Sequence, residues 1–261
     1  MQADRIIGTH PIVRALADAA ERLARSGHAV FVVGERGTGK ELFARQLHAA
    51  GRRPDDRFVR VDCAEPSEER LEHELFERER GWERASGGTL LLDDLPSLPA
   101  DLQRRLLESL RRAGDNACRA AQLVASMDQE IALQRHSGRL DGELIDHLCP
   151  VEVTLPALRQ RRSDIPVLVQ HFLALYAERN GVPDCVIETE ALVHLWQYDW
   201  PGNVRELESV IERVVVLCPR GVVRSTDLPA TVRTGAGARS PSRRNASPPT
   251  GVAGPQLRST F

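Results

Sequence analysis

At 261 residues, 41% hydrophobic and 28% charged, the chain has apolar content for one large core and a smaller satellite domain. A net charge of −2 and 4% aromatic residues argue against a nucleic-acid surface built on excess positive charge or base stacking. No apolar run approaches a membrane span, and the opening MQADRIIGTH lacks the basic-then-apolar order of a secretory leader, so a cytoplasmic protein without membrane contact is expected. Cys63, Cys118, Cys149, Cys185 and Cys218 are scattered without a C-x-x-C pair and read as reduced thiols with no metal or redox role.

Along the chain, Thr9-His10-Pro11 opens an amphipathic helix that runs to Arg25. Short β-branched or apolar runs at 28–33, 58–62, 89–94, 121–126 and 149–153 read as strands. Helical patterns near 41–50, 67–78, 99–113 and 141–148 lie between them, which implies an α/β fold with a parallel sheet covered on both faces. The Glu- and Arg-dense stretch 67–84 reads as a solvated face. After Pro156 the pattern changes to three helices, 163–180, 188–198 and 201–217, with no strand between them. The expected division is a nucleotide-binding core over 1–155, a helical lid over 156–230 and a tail over 231–261. That tail is rich in Gly, Ser, Pro and Arg; it has too little apolar surface to offset its ordering entropy and is expected to be disordered.

Chemistry concentrates at GERGTGKE, the octapeptide Gly34, Glu35, Arg36, Gly37, Thr38, Gly39, Lys40 and Glu41, between the first strand and the next helix. Glycines let successive backbone N–H groups curve around a phosphate, the lysine sets a compact cation on the β/γ-phosphates, and the helix adds its positive N-terminal end. Lys40 is the only lysine; every other one of the 35 basic residues is arginine. A second element, GGTLLLDDLPSLP (87–99), is an apolar strand ending in Asp93 and Asp94. In phosphate-loop NTPases the first such acid holds Mg²⁺ and the second polarises the attacking water, so Asp93 is the metal candidate and both acids are catalytic candidates.

Together with LPALRQRRSDIP (155–166) and WPGNVREL (200–207), these stretches resemble the central AAA+ domain of the sigma-54-dependent transcription activators, the bacterial enhancer-binding proteins. Glu41, in place of the usual Ser or Thr after the loop lysine, is a mark of that family. The resemblance runs from Arg5 to Pro229. It implies a doubly wound αβα core with a helical lid, ATP and Mg²⁺ at their junction, and Arg205 reaching the phosphates from the lid. It also implies ring assembly, and ATP turnover that remodels RNA polymerase carrying sigma-54.

The chain departs from that family at several positions. The family's GAFTGA loop, which touches sigma-54, is replaced by ERERGWERAS (77–86), so contact with sigma-54 polymerase is not expected. In the segment that supplies two arginine fingers to a neighbour, here LDGELIDHL (140–148), Asp141 and His147 stand at the arginine positions. Arg139 would point about 200° away if it lay on the same helix. Asp94 replaces a glutamate, Ser126-Met127 replaces a Thr-Asn pair, and Asp62 replaces an asparagine. No sensory or helix-turn-helix DNA-binding module is expected in this chain. The expected function is an ATP-binding regulatory module with weak or no hydrolysis, acting through protein partners in a homo- or hetero-oligomer. The alternatives are a working ATPase in a ring, or a remnant with an empty loop.

Overall fold

A computed structural model describes residues 6–54, 57–76, 81–113, 121–148, 150–181, 185–218, 221–235 and 258–259. Five strands, β1 (Val30–Val33), β2 (Phe58–Asp62), β3 (Thr89–Asp93), β4 (Gln122–Met127) and β5 (Val151–Thr154), form a parallel sheet in the order β2-β3-β4-β1-β5. The strands read as continuous apolar runs because both faces are covered. Pleating divides their side chains: Val30, Val32, Leu91 and Val124 face one core, and Phe31, Val33, Leu90 and Leu92 face the other. The first core is closed by α1 (Pro11–Ser26) and α2 (Lys40–Ala50) through Leu16, Ala20, Phe43 and Leu47. The second is closed by α3 (Glu68–Phe76), the one-turn α4 (Gly81–Arg84), α5 (Ala100–Ala113), α6 (Ile131–Ser137) and α7 (Gly142–Leu148), with Leu71, Leu106 and Leu144 at its centre. Phe31 is fully buried, and truncating such a side chain to alanine costs about 3–5 kcal/mol.

The lid is built on α8 (Ile165–Asn180), α9 (Thr189–Gln197) and α10 (Asn203–Leu217), packed around the fully buried Trp200. Trp200 Nε1 donates to the Leu195 carbonyl at 2.8 Å, which satisfies the one polar atom of that ring. The lid is not free of strands, contrary to the sequence pattern. β6 (Val186–Ile187) lies between α8 and α9 and pairs in parallel with β7 (Val222–Val223). A further short helix, α11 (Ala230–Thr234), follows. Residues Arg258–Ser259 form β8, antiparallel to β5. Residues 236–257, 260 and 261 of the expected tail lie outside the described part, as do 77–80, Cys118 and Cys149.

Core and lid meet along buried polar joints. Asp164 has no exposed surface, and its Oδ1 accepts from the backbone N–H groups of Thr9 (2.6 Å) and His10 (2.7 Å). Arg161, 2% exposed, donates through Nη2 to the Thr38 carbonyl at 3.0 Å. Each joint links a lid or linker side chain to backbone of the core.

Candidate functional site

The phosphate loop leaves the C-terminal end of β1, next to β4, where ligands of open α/β sheets bind. Gly37 (φ 81°) and Gly39 (φ 103°) take the left-handed backbone that the loop requires, and Gly39 caps the N-terminus of α2. Lys40 Nζ lies back over the loop, donating to the Gly34 carbonyl (2.6 Å) and to Asp128 Oδ1 (2.5 Å). The Thr38 hydroxyl donates to the Glu35 carbonyl at 2.8 Å.

A cavity of about 720 Å³ opens between this loop and the lid. Its lining includes the apolar side chains of Ile6, Ile7, Leu168 and Phe172 and the polar ones of Arg36, Lys40, Asp93, Asp94 and Arg205. Gly37, Thr38, Gly39 and Glu41 line it as well, so the sequence candidates converge on one space. Gly34 and Glu35 are the exceptions. Glu35 turns to the lid, where both oxygens accept from the Arg159 guanidinium and Oε2 also accepts from Asn203 Nδ2 at 3.2 Å. The Arg159 hydrogen bond holds the Glu35 carboxyl below its ordinary range, against the upward push of partial burial.

Asn203, fully buried with φ 53°, is the hub of this contact. Its Oδ1 accepts from Leu158 N at 2.8 Å, and its Nδ2 donates to the Arg36 carbonyl at 2.9 Å. The Gly37 carbonyl in turn accepts from Val204 N at 3.0 Å and Arg205 N at 3.4 Å. Phosphate loop and lid helix are thus joined by main-chain bonds that place Arg205 on the cavity wall.

Asp93 ends β3, and both its oxygens are engaged. Oδ1 accepts from Ser126 Oγ at 2.5 Å, and Oδ2 accepts from Arg60 Nη2 at 2.6 Å and Nε at 3.1 Å. Burial pushes its carboxyl up, but the Ser126 hydroxyl and the Arg60 guanidinium outweigh that and hold it below its usual value. Asp94 sits in the left-handed region (φ 58°), donates its N–H to Ser126 Oγ and accepts from Ser97 Oγ at 2.7 Å. Mg²⁺, expected at Asp93, does not fit this donor set. A guanidinium already covers the free oxygen, and among the described residues no cluster of three His, Cys, Asp or Glu side chains is arranged for a metal.

Asp141 precedes α7 and His147 lies in its last turn, and neither lines their own chain's cavity. Asp141 caps that helix, its Oδ1 accepting from Glu143 N at 2.8 Å, and His147 is exposed. Arg139 is not on a helix with Asp141; it lies in the turn after α6. Arg60, Asp128, Arg159, Arg161 and Asn203 were not singled out by sequence. Only Arg60 carried a local signal: strand alternation puts it on the same face as Asp62, whose register partner is Asp93.

A parallel αβα sheet, a phosphate loop on an interior strand, paired acids two strands away and a helical lid define a phosphate-loop core of the AAA+ class. Residues 6–154 match the Sigma-54 interaction domain, and residues 159–245 match the AAA+ ATPase lid domain. The chain belongs to the sigma-54 interaction domain family. It is 37% identical over 246 residues to the transcriptional regulatory protein ZraR of Salmonella typhi, covering 87% of this chain and 56% of that one. It is 35% identical over 244 residues to the response regulator protein PilR of Pseudomonas aeruginosa, covering 86% and 55%. Among solved structures, NtrX of Brucella abortus in complex with ATP superposes with a TM-score of 0.77 at 31% identity, over 88% of this chain and 58% of that one. The chain spans a little over half the length of the curated relatives it matches. Among the described residues no helix is long and apolar enough to cross a membrane.

Proposed function

We propose that this chain is an ATP-binding AAA+ module of transcription regulation, which holds nucleotide between phosphate loop and lid, hydrolyses it weakly or not at all, and acts through protein partners. The observation that carries the reading is the convergence of Lys40, Gly37, Gly39 and Arg205 on one cavity whose lining also holds apolar side chains suited to a base. The NtrX structures in complex with ATP and with ADP support it. Weak hydrolysis rests on the finger positions. An arginine finger contributes about 10³–10⁵ in rate, or roughly 4–7 kcal/mol of barrier, and here one position holds a helix-capping carboxylate. Asp93 and Asp94, both on the cavity wall, are the catalytic candidates in this reading, with Asp94 as the acid that would polarise water. The working assembly is an oligomer of AAA+ subunits in the cytoplasm, without direct sigma-54 contact, since residues 77–86 are too few for the family's protruding loop.

Titration of a fluorescent ATP analogue and steady-state phosphate release, on one sample, test this. Binding without appreciable turnover is expected. Turnover at about one per second or faster, a typical enzyme rate, would make the chain a working ring ATPase. No binding by wild type would leave only an empty scaffold. ATP-dependent promoter melting with purified sigma-54 polymerase would refute the partner reading.

A further inference from the structure

Arg60 rises from the middle of β2 into a group of three carboxylates. Besides its two bonds to Asp93, Nη2 reaches Asp62 Oδ2 at 3.4 Å and Nε lies 3.5 Å from Glu41 Oε2. Arg60, Glu41, Asp62 and Asp93 line the same cavity as Lys40. A divalent cation at this end of a phosphate loop needs an acid with a free lone pair and the hydroxyl that follows the loop lysine. Neither is present. Asp93 is covered by Ser126 and Arg60, and Glu41, which stands in place of that hydroxyl, is bound to Arg45 Nη2 at 2.9 Å. The nearby Thr38 hydroxyl is committed to the Glu35 carbonyl. A fixed positive charge therefore sits on the acid that a metal would use. A guanidinium keeps its charge at any working pH and has five N–H donors; the contacts to the acids use Nε and Nη2.

We propose that Arg60 stands in for the divalent cation, so that the cavity binds a nucleoside triphosphate without Mg²⁺, with Lys40 and Arg60 as the paired cations at its β/γ end. The proposal rests on the nucleotide-binding reading above. A guanidinium brings one charge in place of two and no coordination position for water. The ground-state triphosphate is held, and the charge that develops during transfer is stabilised less, which agrees with slow turnover.

Calorimetric titration of ATP into wild type and Arg60→Gln, each in EDTA and in Mg²⁺, is the experiment. Arg60 is about a third exposed, so the substitution leaves the core intact. Wild-type affinities in the two buffers are expected to agree within about threefold, far less than the tenfold that 1.4 kcal/mol represents. Arg60→Gln is expected to lose about tenfold or more in EDTA, the usual weight of a charge-assisted hydrogen bond. Wild type that binds in Mg²⁺ but weakens about tenfold in EDTA overturns the proposal and leaves nucleotide binding standing. Unchanged affinity of Arg60→Gln in EDTA also overturns it. No binding by wild type in either buffer removes the nucleotide reading and this proposal with it.

Discussion

Gly37 and Gly202 meet backbone against backbone: a Cβ placed on Gly37 would lie 2.2 Å from the Gly202 carbonyl oxygen. One glycine belongs to the phosphate loop and the other to the start of the lid helix α10, so the site has no spare layer between its two halves. The closeness follows from WPGN, where Asn203 must reach both Leu158 and the loop carbonyl of Arg36.

Gly37→Ala should therefore act on the lid as well as the loop. The left-handed φ of 81° costs an alanine about 1–3 kcal/mol, and the carbonyl contact adds to it. Gly39→Ala is the control, since its φ of 103° is strained but its nearest neighbour is Leu42 Cβ at 4.0 Å. Urea melts should rank Gly37→Ala below Gly39→Ala. Equal destabilisation of the two would mean that the lid yields and the contact is soft.

Lys40 and Asp128 are expected to move affinity in opposite directions. Lys40→Ala removes the ammonium from the triphosphate and should weaken ATP-analogue binding about tenfold or more. Asp128→Asn frees Lys40 from a competing carboxylate that is 56% exposed, and pairs so exposed are worth about 0–1 kcal/mol. A gain of about two- to fivefold is the expected size. Weaker binding by Asp128→Asn would show that this carboxylate helps to hold the ligand.

Restoring the fingers has a cost visible in the fold. Asp141→Arg with His147→Arg should raise phosphate release more than affinity, and increasingly so at higher protein concentration, because the guanidinium groups serve a neighbouring subunit. The same change removes the cap of α7, worth about 0.5–2 kcal/mol, so the melting temperature should fall. Asp141→Ser, which keeps a capping oxygen, should hold the melting temperature and leave release unchanged. Release by the double variant no faster than wild type, at every concentration, would place the defect elsewhere.

The Glu35 clamp on the lid should be sensitive to acid. Its carboxyl titrates lower in the folded chain than its ordinary 4.5, so the bond to Arg159 contributes fully above that value. That contribution is lost as pH falls through the lowered folded value. Stability of wild type should drop over this window more steeply than that of Glu35→Gln, which has no proton to gain. Because both side chains are about 40% exposed, the difference should be small and should shrink in high salt. Parallel acid limbs for the two proteins would remove Glu35 from the account.

Most of the core could be read from sequence because each element carries its own periodicity. β2 was placed at 58–62 and is found there, and the lid helices begin and end within two residues of their apolar patterns. β6 and β7 escaped because two residues cannot display alternation, and their pairing joins segments more than thirty residues apart. α6 escaped because IALQRHS is largely solvent-facing, with only Gln134 buried, and so shows no apolar stripe. The phosphate loop and the acid pair were legible as contiguous motifs. The partners that set their charge were not: Arg60 and Asp93 lie 33 residues apart, and Lys40 and Asp128 lie 88 apart. Asp141 was read as a missing finger, and its use as a helix cap needed the coordinates of Glu143 N.

The bonds from Asp164 to the backbone of Thr9 and His10 tie the segment ahead of α1 to the start of α8, and the same segment places Ile6 and Ile7 on the cavity wall. That strap is anchored twice, to the lid base through Asp164 and to core helix α2, where Gln46 Oε1 accepts from Ile6 N at 3.3 Å. A lid that swings away would pull on the strap between its two anchors and so disturb the cavity wall at Ile6 and Ile7. A fluorophore on the strap would then report lid position with no label inside the cavity.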